Sequence, residues 1–333
     1  MIEWKLLSDP EELMAWDSNL IQFADFNYCQ SIAWGDYRAL FNWKPYRWAA
    51  YTEKGKPVTL MQGLLRIYPG KIGVLWVPGG PTGDISLMNR DLQQLIIRTT
   101  GIKRLYCRIS TSKTYRAEDS LMLKYHSWSR ALQPLGSCMS MLYDLERDEQ
   151  SRLENCSSNW RHNLNRSGKY NLAIHQLNNP DIETIMAIYR DMESYKNIGK
   201  QYSREELEGI FMVFQEKILF FGCYTEAGEL VAFRGCVLLG VKAWDLLAAT
   251  TVKGRNLYAS YALFWKLIEH CVNVGITSYD MGGIDPYENK GVYHFKKGTG
   301  AKEIEYLGEW EWSSSEMIRY AANWAIKYRS GRL

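Results

Sequence analysis

Two blocks of apolar positions along this chain share one rhythm. In each, three strand-like runs follow one another: Arg47 to Ala50, Val58 to Ile67 and Ile72 to Val77, then Ile218 to Cys223, Leu230 to Val241 and Ala243 to Thr250. Between the first two runs of each block stands the same signal, Tyr51-Thr52-Glu53-Lys54-Gly55 and Tyr224-Thr225-Glu226-Ala227-Gly228. Glu-x-Gly between two such runs predicts a hairpin, so each block reads as a three-stranded meander. A matching echo in matching surroundings points to a duplicated unit.

Helical spacing flanks both blocks. Amphipathic patterns predict helices over 30–42, 88–101, 148–168, 181–195 and 203–215. Asp9-Pro10-Glu11-Glu12 opens another, with a capping aspartate, proline at the first helical position and acidic residues in the first turn. The clearest runs from Tyr258 to Val274, with Ala262, Leu263, Leu267, Ile268 and Cys271 on one stripe and Gly275 as its cap. Strand Ile276 to Met281 follows at once. Helices around a mainly antiparallel meander, with a helix and strand added late, make an α+β or mixed-sheet unit such as the GNAT acyltransferase fold.

Composition narrows the class. The 333 residues suggest two domains. A net charge of +3 argues against a basic coat for nucleic acid, so no DNA partner is expected, although a local basic face stays open. The seven cysteines are scattered, with no Cys-x-x-Cys pair, which fits neither a zinc site nor a disulfide framework. Met1-Ile2-Glu3-Trp4-Lys5 does not resemble a signal peptide. The apolar region 218–251 is broken by Glu226, Glu229, Arg234, Lys242 and Asp245, so no membrane-spanning helix is expected there. The expectation is a reduced, cytoplasmic enzyme with no metal and no cofactor.

The segment Tyr279-Asp280-Met281-Gly282-Gly283-Ile284-Asp285-Pro286, followed by Gly291-Val292-Tyr293-His294-Phe295-Lys296-Lys297-Gly298, carries the most chemistry. It reads as a strand end, a glycine-permitted turn and a loop that presents Lys296 beside Phe295. Taken by itself, the spacing reads as a glycine turn with Lys296 a solvated lysine. The whole pattern, however, resembles the Fem family of peptidoglycan bridge-forming aminoacyltransferases, whose members carry a similar aspartate–glycine–glycine turn and a glycine-x-x-x-phenylalanine-lysine segment. The resemblance covers most of the chain and implies two GNAT-like domains in tandem, without the coiled-coil arm of some members. The first would span 1–140, with a C-terminal helix in 311–333 (Ser313 to Arg332) packing back on it. The second would span 141–310 and carry the catalytic loop.

Further residues follow from the same resemblance. Gln30-Ser31-x-x-Trp34-x-x-x-Arg38 is similar to a family segment whose basic position contacts the diphosphate of a nucleotide sugar, which assigns Arg38 and Trp34 to substrate. Val77-Pro78-Gly79-Gly80-Pro81-Thr82-Gly83-Asp84 resembles a glycine-proline-x-x-aspartate loop, and gives Asp84 the acceptor amine or its proton. The basic stretch 159–169 offers Arg161 to tRNA phosphate; a solvated helix face is its other reading. Lys200 and Tyr261 fall near substrate-binding positions of the family, and Tyr293 would border the site. Tyr261 also reads as a packing residue.

The function implied is transfer of an amino acid from aminoacyl-tRNA to an amine of a peptidoglycan precursor, nucleotide-linked or lipid-linked, or of a related amino-sugar conjugate. Lys296 would stabilise the tetrahedral oxyanion. One alternative is an N-acyltransferase using acyl-CoA or an acyl carrier on an amino sugar. Its pyrophosphate loop would fall on Lys253-Gly254-Arg255-Asn256-Leu257-Tyr258-Ala259, a degenerate match. The other is a non-catalytic protein that binds glycan precursors. Arg319, Lys327, Arg329 and Arg332 make the last helix basic, leaving it open to a membrane, to tRNA or to the first domain alone.

Overall fold

At both hairpin signals the chain turns the same way. Gly55 and Gly228 adopt φ of +73° and +77°, a left-handed conformation open to glycine. Thr52 N donates to Lys56 O, and Thr225 N to Glu229 O, both at 2.9 Å. In each copy the strand is bulged at the tyrosine that starts the turn.

The computed structural model describes residues 2–287 and 289–329. Its elements begin with β1 (Glu3–Leu6), α1 (Pro10–Met14), α2 (Trp16–Leu20), α3 (Ile32–Ala39), β2 (Lys44–Tyr51), β3 (Pro57–Tyr68), β4 (Ile72–Gly79) and β5 (Thr82–Gly83). They continue with α4 (Arg90–Thr100), β6 (Arg104–Thr114), α5 (Ala117–Tyr125), β7 (Ser129–Arg130), β8 (Met139–Asp144), α6 (Glu149–Asn155), α7 (Ser158–Ser167) and β9 (Ala173–Gln176). Then come α8 (Ile182–Lys196), α9 (Arg204–Phe214), β10 (Ile218–Tyr224), β11 (Leu230–Leu239), β12 (Lys242–Thr250), α10 (Val252–Asn256) and α11 (Ala259–Asn273). Last are β13 (Ser278–Gly283), α12 (Lys290–Gly298), β14 (Lys302–Ser313) and α13 (Glu316–Arg329). The chain divides into two compact units, one up to Cys138 and again from Glu305 on, the other Met139–Ile304.

In the first unit the strand order is β1-β2-β3-β4-β6-β14. Neighbours are antiparallel except β4 and β6, which run parallel because α4 carries the chain back across the sheet. Trp48, Met61, Leu75, Leu92, Ile96, Leu105 and Trp310 form its core. The return to this unit starts at Glu305, earlier than residue 311, because β14 is a strand that pairs with β6 through Trp310↔Ile109 and Glu311↔Arg108. Glu311 then ties α13 down, accepting from Arg319 Nε at 2.7 Å and Asn323 Nδ2 at 2.9 Å. Arg332 lies outside the described residues.

The second unit repeats the plan. Its order is β8-β13-β12-β11-β10-β9, antiparallel except for β12 and β13, which are parallel and joined by α11. Its core gathers Tyr143, Trp160, Val231, Ala243, Leu263, Phe264, Leu267, Ile268 and Tyr279. The architecture is α+β, each unit a mixed, mainly antiparallel sheet with flanking helices.

Two local expectations change. The helix predicted over 148–168 is two helices, because Ser157 leaves the helical path and caps α7, its Oγ accepting from Trp160 N at 3.3 Å. The segment expected to be a loop at 290–298 is helix α12. Val292, Phe295 and Lys296 fall at helical spacing there, and the glycines that suggested a loop sit near its two ends.

Candidate functional site

Strand β13 runs into its own glycine turn, and the turn positions a cation. Gly282 has φ +75°, which would cost a residue with a Cβ about 1–2 kcal/mol. The two glycine carbonyls converge on one side chain: Lys296 Nζ donates to Gly282 O at 3.1 Å and to Gly283 O at 2.8 Å. Asp280 fixes the bend, its Oδ1 accepting from Gly282 N at 2.8 Å and from Ser140 Oγ. The Asp-x-Gly-Gly pattern thus aims two carbonyl dipoles at a lysine one helix away.

Lys296 is only 7% exposed. Burial lowers its pKa below the ordinary value; Asp245 pulls it up, Arg234 pushes it down, and Asp280 raises it. An ammonium carries three N–H donors. Among the described residues the two glycine carbonyls are its acceptors, so one donor is left for a ligand.

Behind the lysine stands a buried polar group that the sequence reading did not place in the site. Asp245 on β12 takes Arg234 of β11 in a two-point grip, Nε to Oδ1 at 2.9 Å and Nη2 to Oδ2 at 2.6 Å. Tyr279 OH donates to the same Oδ1 at 2.9 Å. The Arg234 guanidinium lies 4.8 Å from the Phe264 ring and 5.5 Å from that of Phe295. Arg234 and Asp245 appear in the sequence as charges inside apolar strand runs. Buried charges on adjacent strands must pair, and that was the available signal.

Phe295 turns inward beside Lys296. Its ring packs 5.2 Å from Tyr261, 5.7 Å from Phe264 and 6.0 Å from Trp160. Tyr261 belongs to this aromatic cluster and its OH accepts from Asn163 Nδ2 at 3.1 Å. Tyr293 is half-buried against the same core, and its OH donates to Glu303 Oε1 at 2.7 Å and accepts from Lys297 Nζ at 2.8 Å. Lys296, Phe295 and Tyr261 therefore come together, with Tyr293 one turn away.

The remaining residues sit elsewhere. Arg161 Nη1 donates to the carbonyls of Glu154 at 2.8 Å and Cys156 at 2.6 Å, closing the end of α6. Lys200 lines a separate cavity of about 240 Å³ with Met186, Tyr189, Arg190, Glu193 and Tyr202. In the first unit, Asp84 is exposed and caps a 3-10 turn, its Oδ1 accepting from Ser86 N at 3.0 Å and Ser86 Oγ at 2.7 Å. Arg38 lies among four rings, those of Trp34, Tyr37, Phe41 and Trp76, at 5.9, 5.6, 5.6 and 5.5 Å. Gln30 of the same motif is a buried strut, Nε2 donating to Gln62 O at 3.0 Å and Pro78 O at 2.8 Å.

Comparison with known proteins places this architecture. Residues 236–327 match the model of the FemAB family, a segment that includes Asp245, the glycine turn and Lys296. The aminoacyltransferase FemA of Staphylococcus aureus is 34% identical over 84 residues, which are 24% of this chain and 20% of that protein. The chain thus spans about a fifth of the length of the curated relatives it matches. In structure it is similar to FemX, with a TM-score of 0.79 over 96% of this chain and 100% of that one at 14% identity. A tandem GNAT protein from the clavulanic acid biosynthesis pathway matches with a TM-score of 0.57 at 11% identity, over 95% of this chain and 99% of its own.

Proposed function

We propose, from the FemAB-family match of residues 236–327 and the FemX-like fold, that this protein is a Fem-type aminoacyltransferase. It moves an amino acid from aminoacyl-tRNA to an amine of a peptidoglycan precursor or a related amino-sugar conjugate. The observation that carries the reading is the buried Lys296 ammonium, held on one side by the Gly282 and Gly283 carbonyls.

In this reading the acceptor amine attacks the ester carbonyl of the donor. A C–N bond forms and the carbonyl oxygen becomes an oxyanion, to which the third Lys296 N–H donates. Collapse expels the ribose hydroxyl, which leaves with the proton that the amine gives up. A cation fixed before the reaction starts stabilises the developing charge without reorganising. The Arg234–Asp245–Tyr279 group stiffens the strands from which the turn grows. We assign Arg38, Trp34 and Asp84 to the acceptor substrate, Lys200 and Tyr293 to substrate contacts, and Arg161 to the tRNA side. The chemistry calls for no cofactor and no metal.

The donor is favoured on one local feature. Where the thioester reading needs an open pyrophosphate loop, residues 252–256 form α10, capped by Thr251, whose Oγ1 accepts from Gly254 N at 3.0 Å. A Cβ on Gly254 would meet Val231 O at 2.5 Å, so this glycine serves close packing. Incubation with radiolabelled aminoacyl-tRNA or acyl-CoA and candidate amine acceptors tests the reading. Label is expected to move from aminoacyl-tRNA. Transfer from the thioester alone would overturn it, and no transfer from either would leave a binding protein.

A further inference from the structure

Arg152 on α6 is a buried cation without an anion. It is 4% exposed, its Nη1 donates to Arg147 O, and its Nε has no hydrogen-bond partner. Among the described residues no carboxylate pairs with it. Burying a guanidinium in this way is unfavourable, and a ligand of opposite charge offsets it. Arg152 lines a cavity of about 20 Å³ in the second unit, together with Asp144, Arg147, Asn155, Gly300 and Lys302. Arg147 and Lys302 are exposed and add two cations. The one carboxylate of these six, Asp144, is already engaged, accepting from Glu146 N at 3.1 Å and Arg147 Nε at 3.2 Å. The carbonyls of Glu154 and Cys156 at the end of α6, which would repel an anion, are held by Arg161. The wall is fixed as well. Asn155 Nδ2 donates to Gly300 O at 3.3 Å, and Gly300, at φ +84°, has no Cβ to collide with that side chain.

We propose that this cavity binds a phosphate group, and that its occupant is a backbone phosphate of the RNA donor. A cavity of about 20 Å³ holds one oxygen-sized occupant, too little for a whole small molecule. A phosphodiester fits that limit: one free oxygen enters beside Arg152, and the other stays outside toward Arg147 and Lys302. Guanidinium groups suit phosphate oxygens in charge and geometry. The choice of RNA rests on the function proposed above. Gly300 follows Lys296 by four residues, so at most ~14 Å of chain separates them. The terminal ribose that carries the ester also carries a phosphate on its 5′ oxygen, so a donor at Lys296 brings phosphate close to this cavity.

Filter binding of deacylated tRNA across a salt series tests the proposal on the full chain. Arg147→Ala/Lys302→Ala removes two exposed cations and leaves the core alone. It is expected to weaken tRNA binding about tenfold and to lower the slope of log K against log salt by about one, the value for one phosphate. Lys54→Ala/Lys103→Ala, the same loss of charge on the first unit, should change neither. Arg152→Met should weaken binding as the double variant does, yet melt no lower than the parent without RNA, because no lone charge is left buried. The proposal is overturned if the parent binds tRNA and Arg147→Ala/Lys302→Ala matches it in affinity and slope, or if the first-unit control loses as much. It is overturned too if Arg147→Ala/Lys302→Ala loses UDP-N-acetylglucosamine and keeps tRNA, for then the phosphate belongs to the acceptor. A parent that binds no tRNA would refute the RNA occupant together with the donor reading. Transfer from aminoacyl-tRNA by Arg147→Ala/Lys302→Ala at the parental KM would refute this site alone.

Discussion

Lys296→Met is expected to slow aminoacyl transfer about 100- to 1,000-fold, the usual consequence of losing one oxyanion donor. Methionine has nearly the reach of lysine and no charge, so it keeps most of the side chain's volume and removes its N–H donors. Two opposing effects on stability follow. Removing a 7%-exposed ammonium removes the cost of burying it. The two carbonyls lose their donor at 3.1 and 2.8 Å, at about 1 kcal/mol each. The sum is small, and the melting temperature should change little. Rate and stability therefore separate, and single-turnover transfer beside a thermal melt reads both. A variant that transfers at the parental rate would remove Lys296 from the chemistry.

The second large effect lies in Asp245. Asp245→Ala would strand the Arg234 guanidinium between two aromatic rings without its two-point partner, and would leave Tyr279 OH without its acceptor. Breaking a buried pair on one side costs about 3–5 kcal/mol. That is a large share of the roughly 5–15 kcal/mol that holds a typical domain. Replacing both charges, as in Arg234→Met/Asp245→Leu, should recover most of the loss, because no lone charge is left buried. Denaturant midpoints of the three proteins decide it. A single variant within about 1 kcal/mol of the parent would mean that the pair does not brace this part of the fold, and a double variant as weak as the single would mean that the loss does not come from a stranded charge.

Period-2 and period-3.6 patterns carried much of the architecture into view. Both meanders, the crossover helix α11 and the strand after it stand where the apolar runs predict. The shared Tyr-Thr-Glu-x-Gly turns fold with the same hydrogen bonds. What stayed hidden had a physical reason in each case. Strand β14, Lys302–Ser313, alternates glutamates with apolar and aromatic residues, and some of those glutamates are consumed by buried partners: Glu309 by Arg108, Glu311 by Tyr106, Arg319 and Asn323. Helix α12 was masked by glycines near both ends.

The candidate site was legible in part. Local motif and resemblance brought Lys296, Phe295, the glycine turn and Tyr261 together, and these converge in space. The Arg234–Asp245–Tyr279 group was not legible as a cluster, since it forms only when β11, β12 and β13 pair. Other motif positions acquired structural partners that spacing alone does not reveal. Arg161 holds helix carbonyls, Asp84 holds Ser86, and Gln30 bridges β3 and β4.

The most direct test of Lys296 as the catalytic cation is the pH dependence of the rate ratio between the parent enzyme and Lys296→Met. Burial lowers the pKa of this lysine, so the active ammonium form is lost at a lower pH than for an ordinary lysine. The ratio should be large near neutrality and fall toward one as pH rises through that lowered pKa, with single-turnover transfer corrected for ester hydrolysis. A ratio that stays constant across the range, or equals one at neutral pH, would contradict the account.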